Sequence, residues 1–238
     1  MVVVRILYSS KDPVGQTIKQ LGYGFEDVET EVVDFTYRGT DPAVMICRHY
    51  SKSGIPTFTV HHPGNPTAVS SGGEPLKLGV AYPRLAFTVL ANLRGADLPA
   101  SYEATHHGPT LDSPLVFVEL GSREEVWRNA KYVKFLVDAV ESAVDSYTEI
   151  QCTKAAGIGG GHYAPSFTRM ETHCFGHIIS RHQLPEVSDV ILREAMTKSA
   201  EPLDEVVLDD LNFATKRRVS SLASELGLRV KLRQHAWK

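Results

Sequence analysis

The sequence has no hydrophobic run long enough to cross a membrane. Its apolar stretches fall far short of the roughly 18 consecutive residues that a spanning helix requires. No basic region precedes the short apolar run within residues 1–10, so this run indicates a first strand and not a signal peptide. We therefore expect a soluble protein that acts in the cytoplasm and has no membrane partner.

Cysteine is also scarce. The three cysteines, Cys47, Cys152 and Cys174, are scattered along the chain and form no Cys-x-x-Cys pair. An odd and scattered set argues against a disulfide framework and favours a reducing compartment.

Signatures of several common enzyme classes are missing. No Gly-x-Ser-x-Gly elbow is present, and no cysteine stands beside a histidine in a recognisable motif, so a covalent nucleophile is not indicated. The glycine pattern of a dinucleotide-binding loop is broken in residues 157–162, because His162 takes the place of the third glycine. These absences exclude a nucleotide cofactor and favour attack by an activated water molecule.

The composition itself is that of a globular protein. Hydrophobic residues make up 42% and charged residues 22% of the 238 positions, which excludes a disordered chain. No linker or repeat is visible, so we expect a single domain over residues 1–238. Strand-like and helix-like segments alternate, which predicts an α/β fold with a mostly parallel or mixed central sheet and helices on both faces.

The hydrophobic periodicity predicts the individual elements. The predicted strands are 1–8, 31–37, 44–48, 57–61, 102–105, 115–120, 149–155, 173–180, 205–209 and 228–233. The predicted helices are 13–22, 83–97, 124–145, 186–198 and 216–226, the last capped by Thr215. In such folds, ligand sites lie beyond the carboxyl ends of strands.

Histidines lie where such a site is expected. His61 ends a predicted strand, the pair His106 and His107 directly follows another, and His162 lies in the loop after a third. The strand ends at the pair, so both imidazoles can face one site. Neutral imidazoles suit zinc, while a single imidazole can act as a general base; alternatively, the pair only closes a turn.

Two further features point to the same edge of the sheet. Glu119 continues the apolar strand face of Leu115 and Phe117, and it must be exposed, bound to metal or paired with histidine, because an unpaired buried charge is very costly. The glycines of residues 159–161 can present backbone N–H groups to an oxyanion, or they can reflect tight packing.

The remaining histidines differ in their expected roles. His173 and His177 share a face of a predicted strand but lie about 13 Å apart along it, so they cannot bind one ion. We expect His177, which is nearer the strand end, to reach the site. His49, His182 and His235 are interpreted as surface or structural residues.

Charge is concentrated at the end of the chain. Residues 213–238 contain seven bases and one acid, a local net charge of +6, so the rest of the chain carries −9. A basic end on an acidic body indicates contact with a polyanion, although a solvated helix face and an edge strand explain it equally well.

The histidine-bearing loops belong to longer motifs. They read HYSKSGIP at residues 49–56, TVHHPGN at 59–65, ATHHGPT at 104–110 and GIGGGHYAP at 157–165, and SSKDPV follows the first strand at 9–14. Together these motifs resemble the archaeal and plant type of D-aminoacyl-tRNA deacylase, and the resemblance covers essentially the whole chain.

The resemblance implies an enzyme that hydrolyses the ester between a D-amino acid and the 3′ end of tRNA, which keeps D-residues from the ribosome. It also implies zinc binding and a fold similar to those of peptidyl-tRNA hydrolases and nucleoside phosphorylases. The expected partner is the acceptor end of D-aminoacyl-tRNA, and the expected state is a monomer.

Roles for individual residues follow as a hypothesis. The expected catalytic residues are His106, His107, Glu119 and His162, some of which hold the zinc, with His177 as a further candidate ligand. The expected substrate-binding residues are His61, Thr105, Thr110, Gly159, Gly160, Gly161, Lys216, Arg217 and Arg218. Another zinc-dependent ester or amide hydrolase, and a tRNA-binding module without catalysis, remain as alternatives.

Overall fold

Two sheets form the centre of the computed structural model, which describes residues 3–233. The strands are Arg5–Tyr8 (β1), Glu26–Asp27 (β2), Ala43–His49 (β3), Thr57–His61 (β4), Gly64–Asn65 (β5), Lys77–Leu78 (β6), Ala100–Tyr102 (β7), Leu115–Gly121 (β8), Thr153–Gly159 (β9), His173–Ile179 (β10), Glu205–Asp209 (β11) and Arg229–Leu232 (β12). The helices are Pro13–Gln20 (α1), Pro83–Leu93 (α2), Glu124–Trp127 (α3), Ala130–Ser146 (α4), Pro165–Thr168 (α5), Asp189–Thr197 (α6) and Phe213–Glu225 (α7). The predictions for Met1, Val2, His235 and Lys238 fall outside the described residues.

Strand order separates the two sheets. The larger sheet has the order β2-β1-β3-β8-β4-β7, and the smaller has the order β10-β9-β11-β12. Neighbouring strands in both sheets are parallel, except that β4 runs antiparallel to β8. The α/β prediction with a mixed sheet is confirmed, although the strands divide into these two sheets and a separate two-stranded sheet of β5 and β6.

Apolar side chains hold the layers together. Helices α1, α2 and α4 cover one face of the larger sheet, and α6 and α7 pack on the smaller sheet. On the other face of the larger sheet, buried Phe35 packs in one cluster with Met45 and Phe117. The predicted strand at 31–37 is wrong: this segment is irregular and covers the sheet face, while β2 pairs with β1.

Capping side chains explain where two helices begin. The predicted helix 124–145 is interrupted, because the Asn129 side chain accepts a hydrogen bond from the Lys131 amide and starts α4 anew. Asn212, and not Thr215, caps α7 by accepting from the Thr215 amide. None of the helices within residues 3–233 is both long and apolar enough to span a membrane.

The expectation of no disulfide is wrong. Cys152 and Cys174 form a disulfide with a Cα–Cα separation of 5.8 Å. The parallel pairing of β9 with β10 brings these two positions together despite their separation of 22 residues in sequence. The remaining cysteine, Cys47, is free and buried.

A short segment after β7 joins the two sheets. The amide of Glu103 donates to the Val60 carbonyl of β4 at 3.0 Å, whereas the amide of Thr105 donates to the Ile178 carbonyl of β10 at 2.8 Å. Between them, the Ala104 amide donates to the His162 carbonyl at 2.7 Å. This junction fixes the positions of the residues that follow Tyr102, including the two adjacent histidines.

Candidate active site

Strand register places polar side chains on one face of the larger sheet. In the central strand β8, Glu119 pairs with Cys47 of β3 on one side and with Thr59 of β4 on the other. His49 is paired with Gly121, where a side chain would not fit, because an added Cβ would lie 2.6 Å from the imidazole Cδ2. A glycine at 121 therefore makes room for the His49 ring beside Glu119.

Glu119 is the first of two buried carboxylates. Its Oε2 lies 3.2 Å from His49 Nδ1, and its Oε1 lies 3.4 Å from His107 Nε2. Burial alone would raise the pKa of Glu119, but the contacts with His107 and His49 hold this pKa well below its usual range. Glu119 is therefore ionised and paired, as the sequence required of a carboxylate on an apolar face.

Glu103 is the second carboxylate, and its side chain is fully buried. Its Oε1 lies 3.0 Å from His162 Nε2, and its Oε2 lies 3.3 Å from His49 Nδ1. Burial would raise the pKa of Glu103, yet these two imidazoles lower it well below its usual range. Two ionised carboxylates consequently face each other across His49.

His49 carries the compensating positive charge. Burial opposes that charge, but the close contacts with Glu103 and Glu119 raise the pKa of His49 to about 11, so the ring is an imidazolium. Its Nε2–H donates to the Tyr163 hydroxyl at 3.2 Å, and that hydroxyl donates to Ser51 Oγ at 2.9 Å. His49 thus links the carboxylate pair to the exposed loops.

Backbone carbonyls orient the adjacent histidines. His106 Nδ1–H donates to the Ala104 carbonyl at 2.8 Å, and His107 Nδ1–H donates to the Gly108 carbonyl at 2.6 Å. Both Nε2 atoms are thereby turned toward the cluster, which is the arrangement usual for metal-binding histidines. Burial, followed by the charge on His107, lowers the pKa of His106 to about 4, so its ring is neutral.

His61 lies at the centre of the imidazoles. Its ring stacks on Phe117 with centroids 5.2 Å apart, and it lies within 4.7 Å of the rings of His106 and His107. Burial, followed by the repulsion that a second protonated imidazole so close to His106 would meet, lowers its pKa well below the ordinary value. Neither ring nitrogen of this buried residue has a hydrogen-bond partner among the described residues.

Within residues 3–233, the donor atoms form three groups that could hold a metal ion. The groups are His61 with His106 and His107, Glu103 with His106 and His162, and His49 with Glu103 and Glu119. In each group, all three donor atoms lie within 4.8 Å of one another. All predicted metal ligands except His177 therefore belong to at least one group.

The cluster opens to solvent on two sides. A cavity of about 390 Å³ reaches Glu119, His106 and His107, and residues 31–33 of the irregular segment form part of its wall. His162 lies at the edge of the cluster with 41% of its side chain exposed. A substrate can thus reach the imidazoles, whereas the carboxylates stay buried.

His177 does not belong to the cluster, so its predicted contribution to the metal site is wrong. Its Nε2–H donates to the Gly79 carbonyl at 3.0 Å, and its Nδ1 accepts from the Thr105 hydroxyl at 3.0 Å. Burial, followed by the charge on His62, lowers the pKa of His177 to about 3. Both ring nitrogens of His177 and the Thr105 hydroxyl are therefore occupied by hydrogen bonds inside the protein.

The amide of Gly160 is not available to the predicted oxyanion nest. The Gly160 amide donates to the Asp209 carbonyl at 3.0 Å, and a Cβ at Gly159 would lie 1.8 Å from that same oxygen. These glycines permit the close approach of β9 and β11, which is the packing alternative. At Gly161, by contrast, an added Cβ would meet no atom within 4 Å, so close packing does not require a glycine at this position.

The other predicted substrate-binding residues lie outside the cluster. The Thr110 hydroxyl accepts from the Glu74 amide at 3.0 Å. On α7, Arg218 donates to Asp189 Oδ1 at 2.6 Å and to the Val187 carbonyl at 2.8 Å, so its charge is already paired. The Arg217 guanidinium lies 5.9 Å from the centroid of the Phe213 ring.

Sequence reasoning missed His49, Glu103 and Tyr163. His49 was interpreted as a surface or structural residue, yet it lies at the end of β3, which is the same kind of position that identified His61. Glu103 directly follows β7 and precedes the histidine pair by only three residues. Strand ends should therefore have been searched for carboxylates as well as for histidines.

Comparisons with known proteins agree with the motifs. The family model of the D-aminoacyl-tRNA deacylases matches residues 36–231. A protein of that name from Saccharolobus solfataricus is 43% identical over 228 residues, covering 94% of this chain and 96% of the relative. Another, from Sulfurisphaera tokodaii, is 41% identical over 235 residues, covering 97% and 99%. A crystal structure of a conserved protein of unknown function matches with a TM-score of 0.86 at 25% identity, covering 97% of this chain and 95% of its own.

Proposed function

Because this chain belongs to the D-aminoacyl-tRNA deacylase family, we propose that it hydrolyses the ester bond of D-aminoacyl-tRNA and releases free D-amino acid and tRNA. The observation that carries the proposal is the convergence of His61, His106, His107 and His162 around two ionised carboxylates. Neither a different small-molecule hydrolase nor a tRNA-binding module without catalysis is favoured, since the relatives are named deacylases.

We further propose that zinc is held by His61, His106 and His107. Two observations support this set. The two ring nitrogens of buried His61 have no hydrogen-bond partner among the described residues, and backbone carbonyls bind Nδ1 of His106 and His107 and so turn their Nε2 atoms toward the cluster. Three imidazoles with an open fourth position are a known catalytic zinc arrangement. When bound, zinc would polarise the ester carbonyl and lower the pKa of water.

His162 and Glu103 would supply the proton chemistry. His162 is accessible at the edge of the cluster, and Glu103 Oε1 lies 3.0 Å from its Nε2. A histidine oriented by a buried carboxylate can accept a proton from the attacking water and return it to the leaving ribose oxygen. Glu103 would hold the ring and stabilise the imidazolium that forms.

Lys216 and Arg217 are the proposed contacts to the tRNA acceptor end near the site. Helix α7 begins close after β11, whose last residue pairs with Gly159 at the start of the His162 loop. Phe213, 75% exposed, lies on the same helix and can stack on a base. We propose that the chain works as a single-domain monomer in the cytoplasm.

The metal assignment predicts a measurable zinc content. Protein purified without a histidine tag should contain bound zinc, and the His61→Ala variant should contain much less, since it loses one of three ligands. Inductively coupled plasma mass spectrometry measures this directly. His182→Ala, which removes an exposed histidine outside the cluster, is the matched control. Equal zinc in the His61 variant and the wild type would contradict the assignment.

A further inference from the structure

A second cleft lies away from the histidine cluster, between the segment that precedes β10 and the end of β12. Its volume is about 540 Å³. The charged residues in its wall are Arg169, Glu171, His173, Lys231 and Arg233. This cleft, called the Arg169 cleft below, is not needed by the proposed chemistry.

The positive charges of the Arg169 cleft are not balanced. Glu171, the one carboxylate in the wall, pairs with Arg94 at 3.4 Å and not with a cation of the cleft. Within residues 3–233, no carboxylate lies within 4.0 Å of the side-chain nitrogens of Arg169, Lys231 or Arg233. The cleft therefore offers three cations to an anionic ligand.

The floor of the cleft is fixed by buried hydrogen bonds. His173, only 5% exposed, lies 2.8 Å from Glu205 Oε1 through its Nε2 and 2.8 Å from the Thr172 hydroxyl through its Nδ1. Lys231 Nζ lies 3.2 Å from the same Nε2. Glu205 also faces Arg229 at 3.5 Å. These contacts hold Lys231 against the floor before any ligand binds.

The cleft is one strand length from the catalytic cluster. His173 begins β10, and the carbonyl of Ile178 in the same strand accepts from the Thr105 amide, beside His106. Five residues of strand span roughly 16 Å. A ligand that reaches both places must be an extended polyanion and not a single small anion.

We propose that the Arg169 cleft binds backbone phosphates of the tRNA acceptor arm while the 3′ end occupies the histidine cluster. Guanidinium groups match the geometry of phosphate oxygens, and such contacts position a nucleic acid without reading its sequence. The inference rests on the proposed function only for the choice of tRNA as the polyanion.

The test compares two charge-neutralised variants of the full chain. In the cleft variant R169Q/R233Q, the Kd for deacylated tRNA should rise about tenfold, and the slope of log Kd against log salt should fall by about 2, because two phosphate contacts are lost. In the control variant R38Q/K134Q, which removes two exposed cations elsewhere, both quantities should stay near the wild-type values.

Kinetics provide the second readout. The cleft variant should show a raised KM for D-tyrosyl-tRNA and an unchanged rate on D-tyrosyl-adenosine, which carries no phosphate. An unchanged Kd in the cleft variant, or an equal loss in the control variant, would overturn the proposal. If the wild type hydrolyses neither substrate, the proposed function fails, and the Kd for deacylated tRNA still decides whether the cleft binds it.

Discussion

Replacing His106 or His107 with alanine is expected to lower kcat/KM for D-aminoacyl-tRNA by about 1,000-fold or more. Each change removes a proposed zinc ligand whose ring is held by a backbone carbonyl. The zinc ligands and the general base act together in one reaction, so the loss of a single member removes most of the rate enhancement. Single-turnover release of D-tyrosine from D-tyrosyl-tRNA measures the loss.

The control for this prediction is His182→Ala, because His182 is exposed and lies outside the cluster. It should keep wild-type activity. Circular dichroism and denaturant unfolding should show that the His106 variant, whose ring is partly exposed, still folds. Full activity in the folded His106 and His107 variants would remove both residues from the mechanism.

Glu119→Gln is expected to reduce the free energy of unfolding by about 3 kcal/mol, because it leaves the buried charge of His49 with one fewer partner. His107 loses its carboxylate contact in the same variant. Urea unfolding at neutral pH measures the change. Glu125→Gln, which alters an exposed glutamate, should change the same quantity by less than about 0.5 kcal/mol.

A double-mutant cycle separates the stability that comes from the ion pair of Glu119 and His49 from the stability that comes from the packing of each side chain. If Glu119 stabilises the protein through the His49 imidazolium, the H49Q/E119Q variant should be more stable than the sum of the two single losses predicts, by about 1 kcal/mol or more. Additive losses would show that the two side chains stabilise the fold independently, contrary to the charge assignment.

Much of the site could be predicted from local sequence patterns. His61 ends β4, and His106 and His162 follow β7 and β9, so all three occupy the kind of position where α/β folds place ligand sites. That β9 meets β4 and β7 depends on the junction between the two sheets. Glu119 was recognised because a carboxylate on an apolar strand face must find a partner. Each of these inferences requires only the sequence of a single strand and the loop after it.

The wrong predictions concern residues whose roles depend on contacts with distant segments of the chain. His177 lies on a buried strand, but the Gly79 carbonyl and the Thr105 hydroxyl occupy both of its nitrogens, and the sequence of β10 contains no sign of either. Likewise, the tight turn at Gly160 depends on the approach of Asp209. The Cys152–Cys174 bond depends on the pairing of β9 with β10.

Glu103 was missed for a related reason. It lies inside a predicted strand, 102–105, just before a histidine pair, and nothing local marks it as buried. Only the junction of the two sheets, where its amide bonds to Val60 and its carboxylate meets His49 and His162, places it at the centre of the site.

The central claim is that the histidine cluster cleaves the ester of D-aminoacyl-tRNA. The most direct measurement incubates the purified wild-type protein with D-tyrosyl-tRNA and L-tyrosyl-tRNA and follows the release of tyrosine. The account predicts rapid release from the D-substrate and release at the spontaneous rate from the L-substrate. Equal rates for both substrates, or no acceleration with either, would contradict it.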